Sequence, residues 1–186
     1  ITRWVIRQVL QKQGELLRQH PQLYISVNLA AADLVEARFP AEAQAALQAA
    51  GVPPAQLVYE VTERGLVDPQ RAVAVLEPLR QAGQRIAIDD FGTGYSSLSY
   101  LQQLPVDVLK IDKSFVDALG TEAASSPVAP HIIAMARALG LKVIAEGGEQ
   151  AEQARLLAEL GAQIGQGWLF AKPLSAEAFR AFVAAH

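Results

Sequence analysis

Six polar or charged positions stand at or near the C-terminal ends of short apolar runs: Asn28, Glu60, the pair Asp89-Asp90, Lys110 with Asp112, Glu146 and Gln166. In parallel α/β folds the C-terminal ends of the strands form the functional face, so such a series places a ring of carboxylates around one lysine. The chemistry these groups suit is metal-assisted hydrolysis. The chain has no cysteine, and its three histidines, His20, His131 and His186, lie far apart and are assigned no catalysis. Hard oxygen ligands without a thiolate or histidine cluster select Mg2+ or Mn2+ over zinc, and two adjacent aspartates can bridge ions about 3.5–4 Å apart. Such a pair clamps a phosphate and activates water, so no protein nucleophile is required. The run Phe91-Gly92-Thr93-Gly94-Tyr95-Ser96-Ser97 adds backbone freedom and hydroxyls beside the aspartates and could close over a ligand.

Each position also has an ordinary reading. An asparagine after a strand is usually a turn or cap, and Asp-Asp before a glycine loop is usually turn chemistry. Lys110 could snorkel to the surface, but inside Val-Leu-Lys-Ile-Asp a charge is costly unless it is paired. Glu146, before Gly147-Gly148, could belong to a helix N-cap loop with Glu149 in the first turn. What favours function is that all six occur in order, one per strand.

The elements that must position them are short runs rich in β-branched residues: Leu23 to Val27, Leu57 to Val61, Arg85 to Ile88, Val106 to Ile111, Leu141 to Ala145 and Ala162 to Ile164. Helical stretches separate them. Asp68-Pro69 reads as N-cap and first helical residue with Gly83 past the end, Gly140 and Gly161 close two further helices, Ser175 caps the last, and Pro78 should kink its helix. The stretch from Gly120 to Pro127 reads as a loop. Strands alternating with helices imply parallel βαβ units, in an open doubly wound sheet or a closed (β/α)8 barrel; period alone does not choose. At 186 residues with 51% hydrophobic composition the chain can bury a core as one domain. The balance of 16 basic and 19 acidic residues offers no broad positive field for a DNA or RNA duplex. No apolar run approaches the roughly 20 residues of a membrane span, and no signal peptide opens the sequence. The helical start at Ile1, without an initiator methionine, reads as a fragment.

Taken as strings, these residues resemble, in order, the motifs of the EAL-domain cyclic di-GMP phosphodiesterases: Ser26-Val27-Asn28-Leu29, Tyr59-Glu60-Val61-Thr62-Glu63, Ile88 through Leu98, Leu109-Lys110-Ile111-Asp112, Ala145-Glu146-Gly147-Gly148-Glu149 and Gln166-Gly167-Trp168. The resemblance runs from near Ile1 to Pro173. It implies a (β/α)8 TIM-barrel-like EAL domain, residues 1–186, with the N-terminal strand that carries the Glu-Ala-Leu motif missing from this chain, against roughly 250 residues in a full barrel. It also implies that Asn28, Glu60 and Asp89 ligate one metal ion and that Asp89 and Asp90 serve the second. Lys110 would hold or polarise the attacking water, Glu146 would act near that water either as an outer carboxylate that orients the ligands or as a base-like one, and Gln166 would help order the site. Glu63 and Glu149 would steady the neighbouring loop and the ligand edge, and Asp112 would orient its neighbours. Two departures bear on the site: Gly148 where the family usually has valine, which should loosen the loop holding Glu146, and Gln150 where it usually has threonine. Ala30, in place of a common serine, should matter little. The expected activity is hydrolysis of cyclic di-GMP to linear pGpG with Mg2+ or Mn2+; the alternatives are a receptor that binds without turnover and a structural or dimerisation domain. The expected setting is a homodimeric cytoplasmic module that makes no membrane contact itself, even if the full protein is membrane-tethered.

Overall fold

The computed structural model describes residues 1–66, 68–92, 101–119 and 128–185, so the expected loop at 120–127 and positions 93–97 of the glycine run lie outside the described residues. Described strands and helices alternate along the chain: α1 (Thr2–Gln19), β1 (Ile25–Asn28), α2 (Phe39–Ala50), β2 (Leu57–Thr62), α3 (Pro69–Gln81), β3 (Arg85–Phe91), β4 (Val108–Ile111), α4 (Lys113–Asp117), α5 (Val128–Ala138), β5 (Lys142–Glu146), α6 (Ala151–Leu160), β6 (Ile164–Gln166) and α7 (Ala176–Ala185). The strands follow one another in sheet order from β1 to β6. All six expected strands are present. Several extend further toward their C-terminal ends than the apolar runs do, so Asn28, Asp89, Asp90, Glu146 and Gln166 lie within strands rather than just beyond them.

The residues group into two compact units. The first comprises Ile1–Val61, Gly65–Ile86 and Pro173–His186. Its core comes from helix stripes at three- and four-residue spacing: Phe39, Ala43 and Leu47 on α2, and Ala72, Val75, Leu76 and Leu79 on α3. β2 is buried along almost its whole length, as a strand covered on both faces must be. Phe39 meets Tyr59 edge to face with centroids 5.8 Å apart. The Gln84 amide donates to the Tyr59 hydroxyl at 3.1 Å, and burial pushes that phenol's pKa upward. β1 and β2 pair in parallel with Asn28 opposite Glu60, and the Leu29 N–H continues the ladder to the Glu60 carbonyl at 2.8 Å. Asp68 caps α3 as the sequence implies, accepting from the Arg71 N–H at 3.2 Å. Ser175 Oγ likewise accepts from the Ala178 N–H at 3.2 Å at the start of α7.

The second unit comprises Thr62–Arg64 and Ala87–Lys172. Its parallel ladders run β3 to β4, β4 to β5 and β5 to β6. All four residues of β4 are buried, Lys110 among them, and Ala129, Ile132, Ile133 and Ala136 of α5 supply helix packing. Gly161 ends α6 in the left-handed conformation at φ +99°. Glu149 does not enter the first turn of α6: the helix starts at Ala151, and the Gln153 side chain accepts from the Glu149 and Gln150 N–H groups, both at 3.1 Å.

Candidate functional site

β3 opens the site with an irregularity. It pairs with β4 in register at Ala87 and Ile88, but the next partner of Ile111 is Phe91, so Asp89 and Asp90 together face the single residue Lys110. That is a β-bulge, one extra residue on one strand, and it interrupts the strict alternation of side chains. In a flat strand two neighbouring aspartates would point to opposite faces. Here Asp90 sits at φ +53°, the one non-glycine residue with positive φ among the described residues. Left-handed backbone is disfavoured for a residue with a Cβ and tolerated best by Asn and Asp. The bulge and the left-handed turn together let both carboxylates serve one side.

Lys110 projects from the middle of β4 with a side chain only 3% exposed. A buried ammonium needs partners, and it has them: Asp89 Oδ1 at 3.0 Å and Glu146 Oε1 at 2.6 Å. The parallel register makes this possible by setting Lys110 beside Ile144, two residues before Glu146. Carboxylate oxygens of Asp89, Asp90 and Glu146 all lie within 4.8 Å of one another, close enough to hold a divalent cation. Burial first, then the negative charges of Asp89 and Asp112, raise the pKa of Asp90, while Lys110 and Arg64 pull it down. The cluster therefore carries more negative charge than Lys110 balances, the condition a bound cation relieves.

The flanking residues are held as follows. Glu63 is buried and accepts from the Gly92 N–H at 3.2 Å, at the start of the glycine run. Asp112 caps α4, accepting from the Ser114 N–H at 3.0 Å and from the Ser114 hydroxyl. Glu149 receives Lys113 Nζ at 2.8 Å. Gln166 pairs opposite Glu146 in the β5–β6 ladder, and its carbonyl accepts from the Gly147 N–H at 2.8 Å. Gly148 is contacted through its backbone, and a Cβ there would meet no atom within 4 Å. Its carbonyl accepts from the Leu169 N–H at 3.2 Å, and a Cβ on Gly167 would collide with its backbone, so the exit of β6 packs directly on it.

The structure thus brings Asp89, Asp90, Lys110 and Glu146 together in the second unit, and sets Asn28 opposite Glu60 in the first. Reading the sequence missed Lys113 and Gly167, whose importance lies in close approach to other loops. The adjacent glycines Gly147 and Gly148 were the one available signal of such an approach.

The family model of the EAL domain matches residues 1–173. The chain belongs to the EAL-domain family. A relative of Escherichia coli K12 named a probable cyclic di-GMP phosphodiesterase, PdeB, is 46% identical over 186 residues, which is all of this chain and 35% of that protein. Among solved structures, the phosphodiesterase PaMucR in complex with c-di-GMP superposes with a TM-score of 0.88 at 36% identity, covering 95% of this chain and 72% of that one. The EAL domain of Mycobacterium smegmatis DcpA gives a TM-score of 0.91 at 34% identity, covering 100% of this chain and 84% of that one. This EAL domain spans between 24% and 35% of the length of the first three curated relatives. Its fold class is the TIM-barrel-like α/β fold expected from the sequence, and the choice left open by strand period is resolved by these likenesses. Among the described residues no helix is long and apolar enough to cross a membrane.

Proposed function

We propose that this EAL domain hydrolyses cyclic di-GMP to linear pGpG with two Mg2+ or Mn2+ ions. The observation that carries the reading is the buried Lys110 tied to both Asp89 and Glu146, beside Asp90, in a chain of this family. The donor set fits a hard divalent cation: clustered carboxylate oxygens, with no cysteine anywhere in the chain. Asp89 and Asp90 would hold the ions, with Asn28 and Glu60 completing the ligand set that the family resemblance implies. When bound, the ions supply positive charge that activates water and stabilises the departing oxygen of the phosphodiester. Lys110 Nζ, fixed by two carboxylates, donates to the water and orients it. Glu146, which accepts from Lys110, would take up the proton that water loses. Glu63 sets the first residue of the glycine run through the Gly92 N–H, and Asp112, Glu149 and Gln166 keep the neighbouring exits in place.

The domain is taken as a single EAL module, cytoplasmic, without membrane contact of its own and paired with a second copy. The test is incubation of the protein, in its longest natural form, with cyclic di-GMP and either metal, with chromatography for pGpG and calorimetry for binding. Asp89→Ala and Lys110→Ala should each abolish turnover, a loss of at least about a hundredfold, while Lys110→Ala retains binding. Tight binding without pGpG in the unsubstituted protein would replace the hydrolase reading by a receptor.

A further inference from the structure

Two segments leave adjacent parallel strands side by side, Ile111-Asp112-Lys113 from β4 and Gly147-Gly148-Glu149 from β5. They are tied twice. The inner tie is Lys110 to Glu146. The outer tie is Lys113, whose Nζ donates to Glu149 Oε1 at 2.8 Å and to Asp117 Oδ1 at 3.2 Å. Between the two ties the aliphatic stem of Lys113 lies across the α-carbon of Gly147: a Cβ there would collide with Lys113 Cγ, Cβ and Cδ. Gly147 also stands at φ +77°. From the other direction the β6 exit holds the same loop through the Gly147 N–H to the Gln166 carbonyl and the Leu169 N–H to the Gly148 carbonyl. The loop that follows Glu146 is therefore enclosed by Lys113 on one flank and by the β6 exit on the other.

An ordinary surface lysine would satisfy itself with Asp117, four residues along the same short helix. Lys113 keeps that pair and also spans to the neighbouring exit, laying its methylenes on a glycine, as long cationic side chains do when they cover a surface while keeping the head in water. Half-exposed ion pairs contribute little to global stability, so the effect to expect is placement rather than folding.

We propose that Lys113 is a positioning residue for the site: pinned to Glu149 across Gly147, it holds the β5 exit so that Glu146 stays against Lys110 and within reach of Asp89 and Asp90. Its kinetic consequence rests on the hydrolase reading above; its structural consequence does not. A misplacement of this kind lowers the rate of the chemical step more than it weakens substrate binding.

The experiment has two arms on the same variants. In the first, amide hydrogen exchange over 146–149 is followed by mass spectrometry in metal-free protein. Lys113→Ala and Glu149→Gln should each speed exchange there by about tenfold, Asp117→Asn should leave it unchanged, and the reversed pair Lys113→Glu with Glu149→Lys should restore protection. In the second, Lys113→Ala and Glu149→Gln should lower kcat for cyclic di-GMP by about three- to tenfold with KM within about twofold, and the double variant should be no worse than either single. Unchanged exchange in Lys113→Ala, an Asp117→Asn effect as large as that of Glu149→Gln, or no restoration by the reversed pair would each overturn the inference. Wild-type protein that makes no pGpG yet shows the expected exchange pattern would sink the hydrolase reading and leave the role of Lys113 standing.

Discussion

The exits of β3 and β5 solve the same backbone problem in opposite ways. Each strand end turns through the left-handed region, at φ +53° for Asp90 and φ +77° for Gly147. That region costs a residue with a Cβ about 1–2 kcal/mol. The β5 exit uses glycine, because the stem of Lys113 occupies the space where a side chain would begin. The β3 exit keeps an aspartate, although glycine would relieve the strain, and places its carboxylate within 4.8 Å of those of Asp89 and Glu146. Strain is retained where a carboxylate of the acidic cluster sits at the turn and absent where only passage is needed, in keeping with the ligand role proposed for Asp90.

The contrast can be broken most forcefully at Gly147. Gly147→Ala combines a left-handed alanine with the collision against Lys113, so stability should fall by about 2–4 kcal/mol and the melting temperature by roughly 5–15 °C. In a Lys113→Gly background, which removes the colliding Cβ along with the stem, the loss should shrink to the backbone part, about 1–2 kcal/mol. Equal losses in both backgrounds would mean that the stem imposes nothing.

A smaller effect distinguishes the β3 exit. Saturating Mn2+, at about a hundred times its dissociation constant, should stabilise the wild type by about 2.7 kcal/mol in thermal melts, and Asp90→Asn should lose most of that gain. In metal-free protein the same substitution should stabilise by up to about 1 kcal/mol, because asparagine accepts left-handed backbone as aspartate does but buries no charge there and carries none against Asp89 and Asp112. A destabilised metal-free Asp90→Asn would show that Asp90 is structural and erase the contrast.

The smallest effect is in pH. The folded protein holds the Asp90 proton more tightly than the unfolded chain, whose carboxyl has its ordinary pKa of 3.8. Protonation therefore favours the fold, and the ionised group disfavours it above the raised pKa. The metal-free advantage of Asp90→Asn should be full at neutral pH and shrink as the pH falls through the raised value toward 3.8, a difference visible in urea midpoints of the two proteins. A difference independent of pH over that interval would remove the burial of the ionised carboxylate, and its repulsion with Asp89 and Asp112, as the cause.

The sequence by itself determined the strand and helix order, the caps at Asp68, Gly161 and Ser175, and the family, because period, turn chemistry and motif strings are local and survive in one dimension. It also marked Asp89, Asp90, Lys110 and Glu146, since charges inside apolar runs are costly without a purpose. Only the tertiary structure decided how they meet. The bulge at Asp89-Asp90 arises from the register of β3 against β4, and no local pattern separates it from a flat strand. The partners of Lys110 come from a strand ahead of it and a strand behind it, at separations where sequence carries no distance. The same holds for the glycines: Gly147 gives room to the Lys113 stem and Gly167 to the backbone of Gly148, approaches between chain segments that no local pattern announces.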